Sequence, residues 1–346
     1  MNVENKALID DLHITQTGHV GIIALNRVAH LNALSLEMIQ GISAQLEAWQ
    51  HDEEIHAVLF QSNSPKAFCA GGDIRYLYDG YMNGTDQHQA YFKAEYDMLN
   101  TIRSYNKPVM VWLDGYVLGG GFGLAQACHI IMSSEKSRFA MPETVIGFFP
   151  DVAATHFLSR LDDIGVYLAL TGEQISTSDA LYLDLIDYHI PIEQFQNLQK
   201  DLSNASELNQ NQINQIISRY IVQPSDSELR SHTDLIRQHF SFENLASIEN
   251  SLAQENRSEY QEWAQKTLSI LKQRSPLAKK TSLKLQHVGR GLSLAKCMQI
   301  ERQLQDIWLD EGDFIEGVRA LIVDKDKQPQ WKTENPKLDQ ILQNLV

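Results

Sequence analysis

KPVMVWLDGYVLGGGFG, residues 107–123, runs from an apolar segment straight into a glycine run. Its first part, 108–113, has the length and apolar character of a buried strand. Gly119, Gly120 and Gly121 follow, and 119–127 opens a helix. A strand that feeds a helix through a glycine turn belongs to a layered α/β protein, and the flanking sequence repeats the alternation. VGIIALN at 20–26 and IHAVLFQS at 55–62 read as strands. Between them Ser35 is a good helix N-cap, followed by Leu36, Ile39, Ile42, Leu46 and Trp49 at helical spacing. Further short strands are expected at 130–133 and 138–140.

Beyond about residue 190 the pattern changes. Gln and Asn become dense in QFQNLQKDLSNASELNQNQINQ, yet Leu, Ile and Phe recur within it at helical spacing. That combination reads as helix with a solvated face rather than a low-complexity tail. Helical spacing continues to about 321, and there is no internal repeat. The expected organisation is an α/β core over 1–190 and a helical C-terminal region over 191–346.

Composition limits the function. The chain has 346 residues, 43% hydrophobic and 21% charged, ordinary values for a folded protein with a sizeable core. A formal net charge of −15 disfavours nucleic acid and anionic membrane surfaces as partners. Cys69, Cys128 and Cys297 match no zinc or redox spacing and read as reduced thiols. The N-terminus, MNVENKALIDD, lacks the basic and apolar regions of a secretory signal, so a cytoplasmic location is expected. The apolar stretch 116–132 contains four glycines, Gln126 and His129, and makes a poor membrane span.

Three stretches could carry chemistry. KAFCAGGDIR at 66–75 holds Gly71 and Gly72, and tandem glycines let backbone amides approach a ligand; a plain strand-to-helix turn would use the same residues. The run 119–121 sits where a helix N-terminus offers unpaired N–H donors, suited to a developing oxyanion, although tight packing alone would also select glycine. FAMPETVIGFFPD at 139–151 places Glu143 and Asp151 among apolar side chains, where carboxylates are costly unless paired or functional; a helix cap and a turn residue are the plainer alternatives. His30, His129 and His156 flank these stretches without a Ser or Cys partner and read as structural. The Lys279, Lys280 and Lys284 cluster reads as a solvated helix face.

Taken together and in this order, the three stretches resemble the crotonase (enoyl-CoA hydratase/isomerase) superfamily. The likeness runs from about residue 14 to 331 and is weakest over 190–260. It implies a crotonase-like ββα spiral core with a helical C-terminal region. It also implies that the backbone amides of Gly72 and Gly120 form an oxyanion hole for a thioester carbonyl. Ala67, Cys69, Ala70, Asp73 and Ile74 would then line the track of coenzyme A. An acyl-CoA substrate is implied, with no cofactor beyond the coenzyme A of the substrate itself, no metal, and homo-oligomers as in much of the superfamily.

One departure sorts the branches. The hydratases of this superfamily carry a glutamate two residues after the glycine run, and that position here is Gly123. Glu143 in Met-Pro-Glu-Thr, Asp151 in Phe-Phe-Pro-Asp, and Arg274-Ser-Pro-Leu277 resemble instead the 3-hydroxyisobutyryl-CoA hydrolase branch. Glu95 falls where that branch contacts substrate, though it would also suit a solvated helix face. The resemblance therefore implies hydrolysis of a short 3-hydroxyacyl-CoA in valine catabolism, with Glu143 as nucleophile or general base and Asp151 assisting. A hydratase or isomerase using Glu143 alone, and an inactive acyl-CoA-binding protein, are the competing readings. Ala153-Ala154-Thr155 replaces a Gly-rich stretch of that branch, and the added methyls are expected to narrow the space beside Asp151.

Overall fold

The computed structural model describes residues 10–345; residues 1–9, which begin the stretch read above for a targeting signal, lie outside them. Among the described residues there are ten strands: β1 (Leu12–Thr17), β2 (Val20–Leu25), β3 (Ala57–Ser62), β4 (Ala67–Cys69), β5 (Val109–Leu113), β6 (Tyr116–Leu118), β7 (Ile130–Ser133), β8 (Arg138–Ala140), β9 (Ile175–Ser176) and β10 (Tyr188–His189). Contacts divide the chain into two compact units. The first contains residues up to Asp73, Lys93–Phe139 and Ser176–Asp226; the second contains Ile74–Phe92, Ala140–Ile175 and Ser227 onward. This division runs differently from the expected border at 190: residues 191–226 belong with the first unit, and 74–92 and 140–175 with the second.

The first unit is built on a six-stranded sheet of order β1-β2-β3-β5-β7-β10, in which β1 and β2 form an antiparallel hairpin and the other pairs are parallel. Parallel strands need cover on both faces. On one face, alternate residues Val20, Ile22, Ala57, Leu59, Met110, Trp112, Ile130 and Met132 form a buried cluster. Leu198 and Leu202 of helix Phe195–Asn204 and Ile213, Ile216 and Ile217 of helix Gln210–Ile217 close it. Phe195 stacks on Trp112 with ring centroids 4.2 Å apart. The Gln- and Asn-rich stretch is thus amphipathic for a reason: its Leu and Ile cover the sheet while its amides stay near water.

The other face meets helix Leu36–Gln50, which begins where expected, with the Ser35 hydroxyl accepting from Met38 N at 3.2 Å. Trp49 lies over Gly21, whose missing side chain makes room for the indole. A second sheet has the order β4-β6-β8-β9; β4 and β6 are parallel, and β8 and β9 lie where the chain leaves the first unit and returns to it.

The second unit is helical. Helix Pro276–Gly289 packs on helices Ala154–Ser159 and Asp163–Thr171. Phe148, Phe149, Trp308 and Phe314 form an aromatic cluster with centroid separations of 4.6–6.0 Å. Such clusters combine large apolar burial with favourable edge-to-face geometry. Lys279 is buried and paired with Glu249 at 2.7 Å, and Lys280 with Asp339 at 2.5 Å, so these two lysines are engaged in ion pairs rather than free.

Ile213 is fully buried against the sheet. Ile213→Ala is expected to lower the unfolding free energy by about 2–5 kcal/mol in urea titration. A loss within experimental error would contradict the covering role of helix Gln210–Ile217.

Candidate active site

In the first unit, β4 leads into Ala70-Gly71-Gly72-Asp73. This segment pairs with residues 31–34: Ala70 N donates to Leu31 O at 3.0 Å, Leu34 N to Gly71 O at 2.8 Å, and Asp73 N to Leu34 O at 2.9 Å. The bridge between Leu34 and Gly72 is parallel. In a parallel bridge the bonds run through the neighbours, here Gly71 and Asp73, so the N–H of Gly72 points away from Leu34. Gly71 has φ +113, a conformation that only glycine adopts readily.

The second glycine run meets this loop. Gly120 is the first residue of helix Gly120–Ala127, so its N–H has no intrahelical acceptor. A Cβ on Gly120 would stand 3.3 Å from Gly72 N and 2.8 Å from Glu95 Oε1, and one on Gly121 would collide with the Cys69 backbone and side chain at 2.5–2.8 Å. The absent side chains are therefore what allow the two loops to meet. The amides of Gly72 and Gly120 lie side by side, and neither has an acceptor among the described residues. Glu95, buried on helix Gln87–Arg103, brings a carboxylate to the same spot.

Buried Asn32 holds the first loop from behind, donating from Nδ2 to Phe68 O at 2.9 Å and Ser62 Oγ at 2.7 Å. Arg27 pairs with Asp73 at 2.7 Å and donates to Ala33 O at 3.1 Å. Asn32 and Arg27 were not singled out from the sequence for this service. Ala67 and Cys69 are wholly buried, whereas Ala70, Asp73 and Ile74 are partly accessible. Gly123 sits inside helix Gly120–Ala127 and is buried. His129 bonds Val109 N and Arg103 O at 3.1 Å each, a structural placement.

In the second unit, Glu143 opens the turn Glu143–Ile146 and is 8% exposed; Asp151, at the end of the same segment, is 6% exposed. Phe148 N donates to Glu143 O at 2.9 Å, and Trp308 Nε1 to Gly147 O at 2.9 Å. The Gln305 amide donates to Asp151 Oδ2. Val152 and Ala153 follow at φ +50 and +78. Ala153, Ala154 and Thr155, which stand where the added methyls were expected to narrow the space beside Asp151, are buried. The structure thus gathers Gly72, Gly120, Glu95 and Cys69 in one unit, and Glu143 and Asp151 on one segment of the other. Among the described residues, no three His, Cys, Asp or Glu side chains are grouped to hold a metal ion.

A model of the enoyl-CoA hydratase/isomerase family matches residues 20–344. Among curated proteins, the chain is 36% identical over 328 residues to the mitochondrial 3-hydroxyisobutyryl-CoA hydrolase of Gallus gallus, covering 93% of this chain and 84% of the relative. It is 32% identical over 334 residues to that of Homo sapiens, covering 95% and 86%. Among solved structures, an enoyl-CoA hydratase from Rhodobacter sphaeroides 2.4.1 superposes with a TM-score of 0.87 at 31% identity over 96% of both chains. A carnitinyl-CoA dehydratase from Mycobacterium thermoresistibile gives the same TM-score and coverage at 25% identity. These likenesses bear out the crotonase-like fold with its helical C-terminal region.

Burial pushes the Cys69 thiol up to about 12 and that of Cys297 to about 11, and raises Cys128 as well. Since the thiolate is the nucleophile, none of the three is reactive at neutral pH. A disulfide dye should label no cysteine in the native protein and all three after unfolding. Fast native labelling of Cys69 would contradict its burial.

Proposed function

The chain belongs to the enoyl-CoA hydratase/isomerase family, and from that membership we propose that it hydrolyses a short 3-hydroxyacyl-CoA thioester, 3-hydroxyisobutyryl-CoA, to the free acid and coenzyme A. The observation that carries this reading is the pair of amides at Gly72 and Gly120 with Glu95 beside them. Two neighbouring N–H groups with no acceptor among the described residues suit a carbonyl oxygen that gains charge as its carbon is attacked. A 3-hydroxyl on the acyl chain brings a donor that the Glu95 carboxylate can accept.

In the proposed reaction the thioester C–S bond breaks, one C–O bond forms, and water is consumed. Glu143 drives it in one of two ways. As nucleophile it forms a mixed anhydride that water then opens; as general base it takes a proton from the attacking water. Asp151 orients the substrate hydroxyl or supplies the proton of the leaving thiol. The accessible part of the first loop, Ala70, Asp73 and Ile74, carries the coenzyme A track. Consumption of this thioester would place the enzyme in valine catabolism.

The second reading is hydration of an enoyl-CoA, favoured by the likeness to the enoyl-CoA hydratase from Rhodobacter sphaeroides. It lacks a carboxylate at position 123, where the hydratases of this family carry their first glutamate. Gly123 lies in a buried helix with no acid–base group of its own.

Release of free thiol from 3-hydroxyisobutyryl-, 3-hydroxypropionyl-, isobutyryl- and crotonyl-CoA separates the two. The expected result is release from the 3-hydroxyacyl esters, abolished in Glu143→Ala while ester binding persists, and reduced selectivity for 3-hydroxyacyl over isobutyryl ester in Glu95→Ala. Consumption of crotonyl-CoA without thiol release would establish the hydratase reading. Binding with no turnover of any ester would mark an acyl-CoA-binding protein.

A further inference from the structure

We propose that Glu301 is a positioning residue for Asp151: its carboxylate clamps the backbone of the turn after Asp151 in a conformation that the residues there disfavour. The proposal rests on the role given to Asp151 above. Val152 and Ala153 both lie in the left-handed region, at φ +50 and +78. Single L-residues visit that region at a cost, and a β-branched valine there is an outlier. Two in succession persist only where the surroundings over-determine them.

Glu301 supplies that constraint. Its side chain is fully buried on helix Leu294–Glu311; Oε2 accepts from Ala153 N and Oε1 from Thr155 N, both at 2.8 Å. Burying a carboxylate is costly unless it is well bonded, and charge-assisted bonds to two backbone amides meet that need. One turn further along the helix, Gln305 donates to Asp151 Oδ2; the next, Trp308, donates to Gly147 O at 2.9 Å. Spacings of four and three put these side chains on one helix face. That face grips the segment 147–155 at four backbone and side-chain positions, on both sides of Asp151. Glu301 acts on the part that resists its own conformation.

A specific rescue follows. Glycine adopts φ +78 without the steric cost that alanine bears, so Ala153→Gly removes much of the need for the clamp. The test uses the full chain and steady-state thiol release from 3-hydroxyisobutyryl-CoA, with folding followed by circular dichroism. Glu301→Gln, which keeps the shape but only one acceptor oxygen, is expected to lower kcat roughly 10- to 100-fold, the scale of a small misplacement of a reacting group. KM should change far less. Ala153→Gly alone should match the parent, and Glu301→Gln/Ala153→Gly should recover most of the lost kcat. If Glu301→Gln does not fold, Glu301→Asp, whose arm is one methylene shorter, takes its place with the same expectations. Full kcat in the Glu301 variant, or no recovery in the double variant, would overturn the positioning role. Full turnover in Asp151→Asn would instead overturn the role given to Asp151, so the two failures are distinguishable.

Discussion

The structure turns on two backbone amides that must meet without acceptors of their own. Gly72 and Gly120 can stand next to each other because neither carries a Cβ, and because Gly71 takes a backbone conformation that other residues reach only with strain. The first unit holds them there. The parallel bridge to Leu34 turns the Gly72 N–H away from that residue, and its place at the start of helix Gly120–Ala127 leaves the Gly120 N–H without an intrahelical acceptor. Asn32 and the Arg27–Asp73 pair fix the loop from behind. None of this uses a reactive side chain. The groups are ordinary peptide amides, and in the proposed reaction their value would come from being fixed before any substrate arrives, which spares the cost of reorganising them.

The second unit solves a different problem with different means. Glu143 and Asp151 are carboxylates in apolar company, framed by Phe148 and Phe149. The turn just after Asp151 carries its own conformational cost, and a single helix face of Glu301, Gln305 and Trp308 holds the segment 147–155 by hydrogen bonds. Where the first unit relies on absent side chains, the second relies on long polar ones reaching across more than a hundred residues of sequence.

That contrast explains what could be read from the sequence. The glycine runs were legible as strand–helix junctions, and it was their order along the chain together with 139–151, resembling a known family, that pointed to a carbonyl oxygen. The strands at 20–25, 57–62 and 109–113 were legible from apolar runs of strand length, and helix Leu36–Gln50 from its cap and spacing. The strands β4 and β6 were not, although β8, which is just as short, was. Helices Phe195–Asn204 and Gln210–Ile217 were read as helices, but their amphipathic spacing says only that one face is buried, not that it covers the sheet of the first unit. Glu301 and Gln305 lie in IERQLQDIWLDE, within the stretch of helical spacing that runs to about 321, and the sequence does not show their role because their partners stand 146–154 residues away. The missing carboxylate at Gly123 was plain in the sequence, whereas the strain at Val152 and Ala153 needed coordinates.

If the two amides polarise a thioester carbonyl, vibrational spectroscopy reads it directly. The carbonyl stretch of 3-hydroxyisobutyryl-CoA, carbon-13 labelled at the thioester carbon, would be recorded by isotope-edited infrared difference spectroscopy when bound to the non-hydrolysing Glu143→Ala protein. Hydrogen bonds from Gly72 and Gly120 predict a stretch shifted to lower frequency than that of the same ester in water. A stretch at or above the aqueous value would mean that the carbonyl does not rest on these amides.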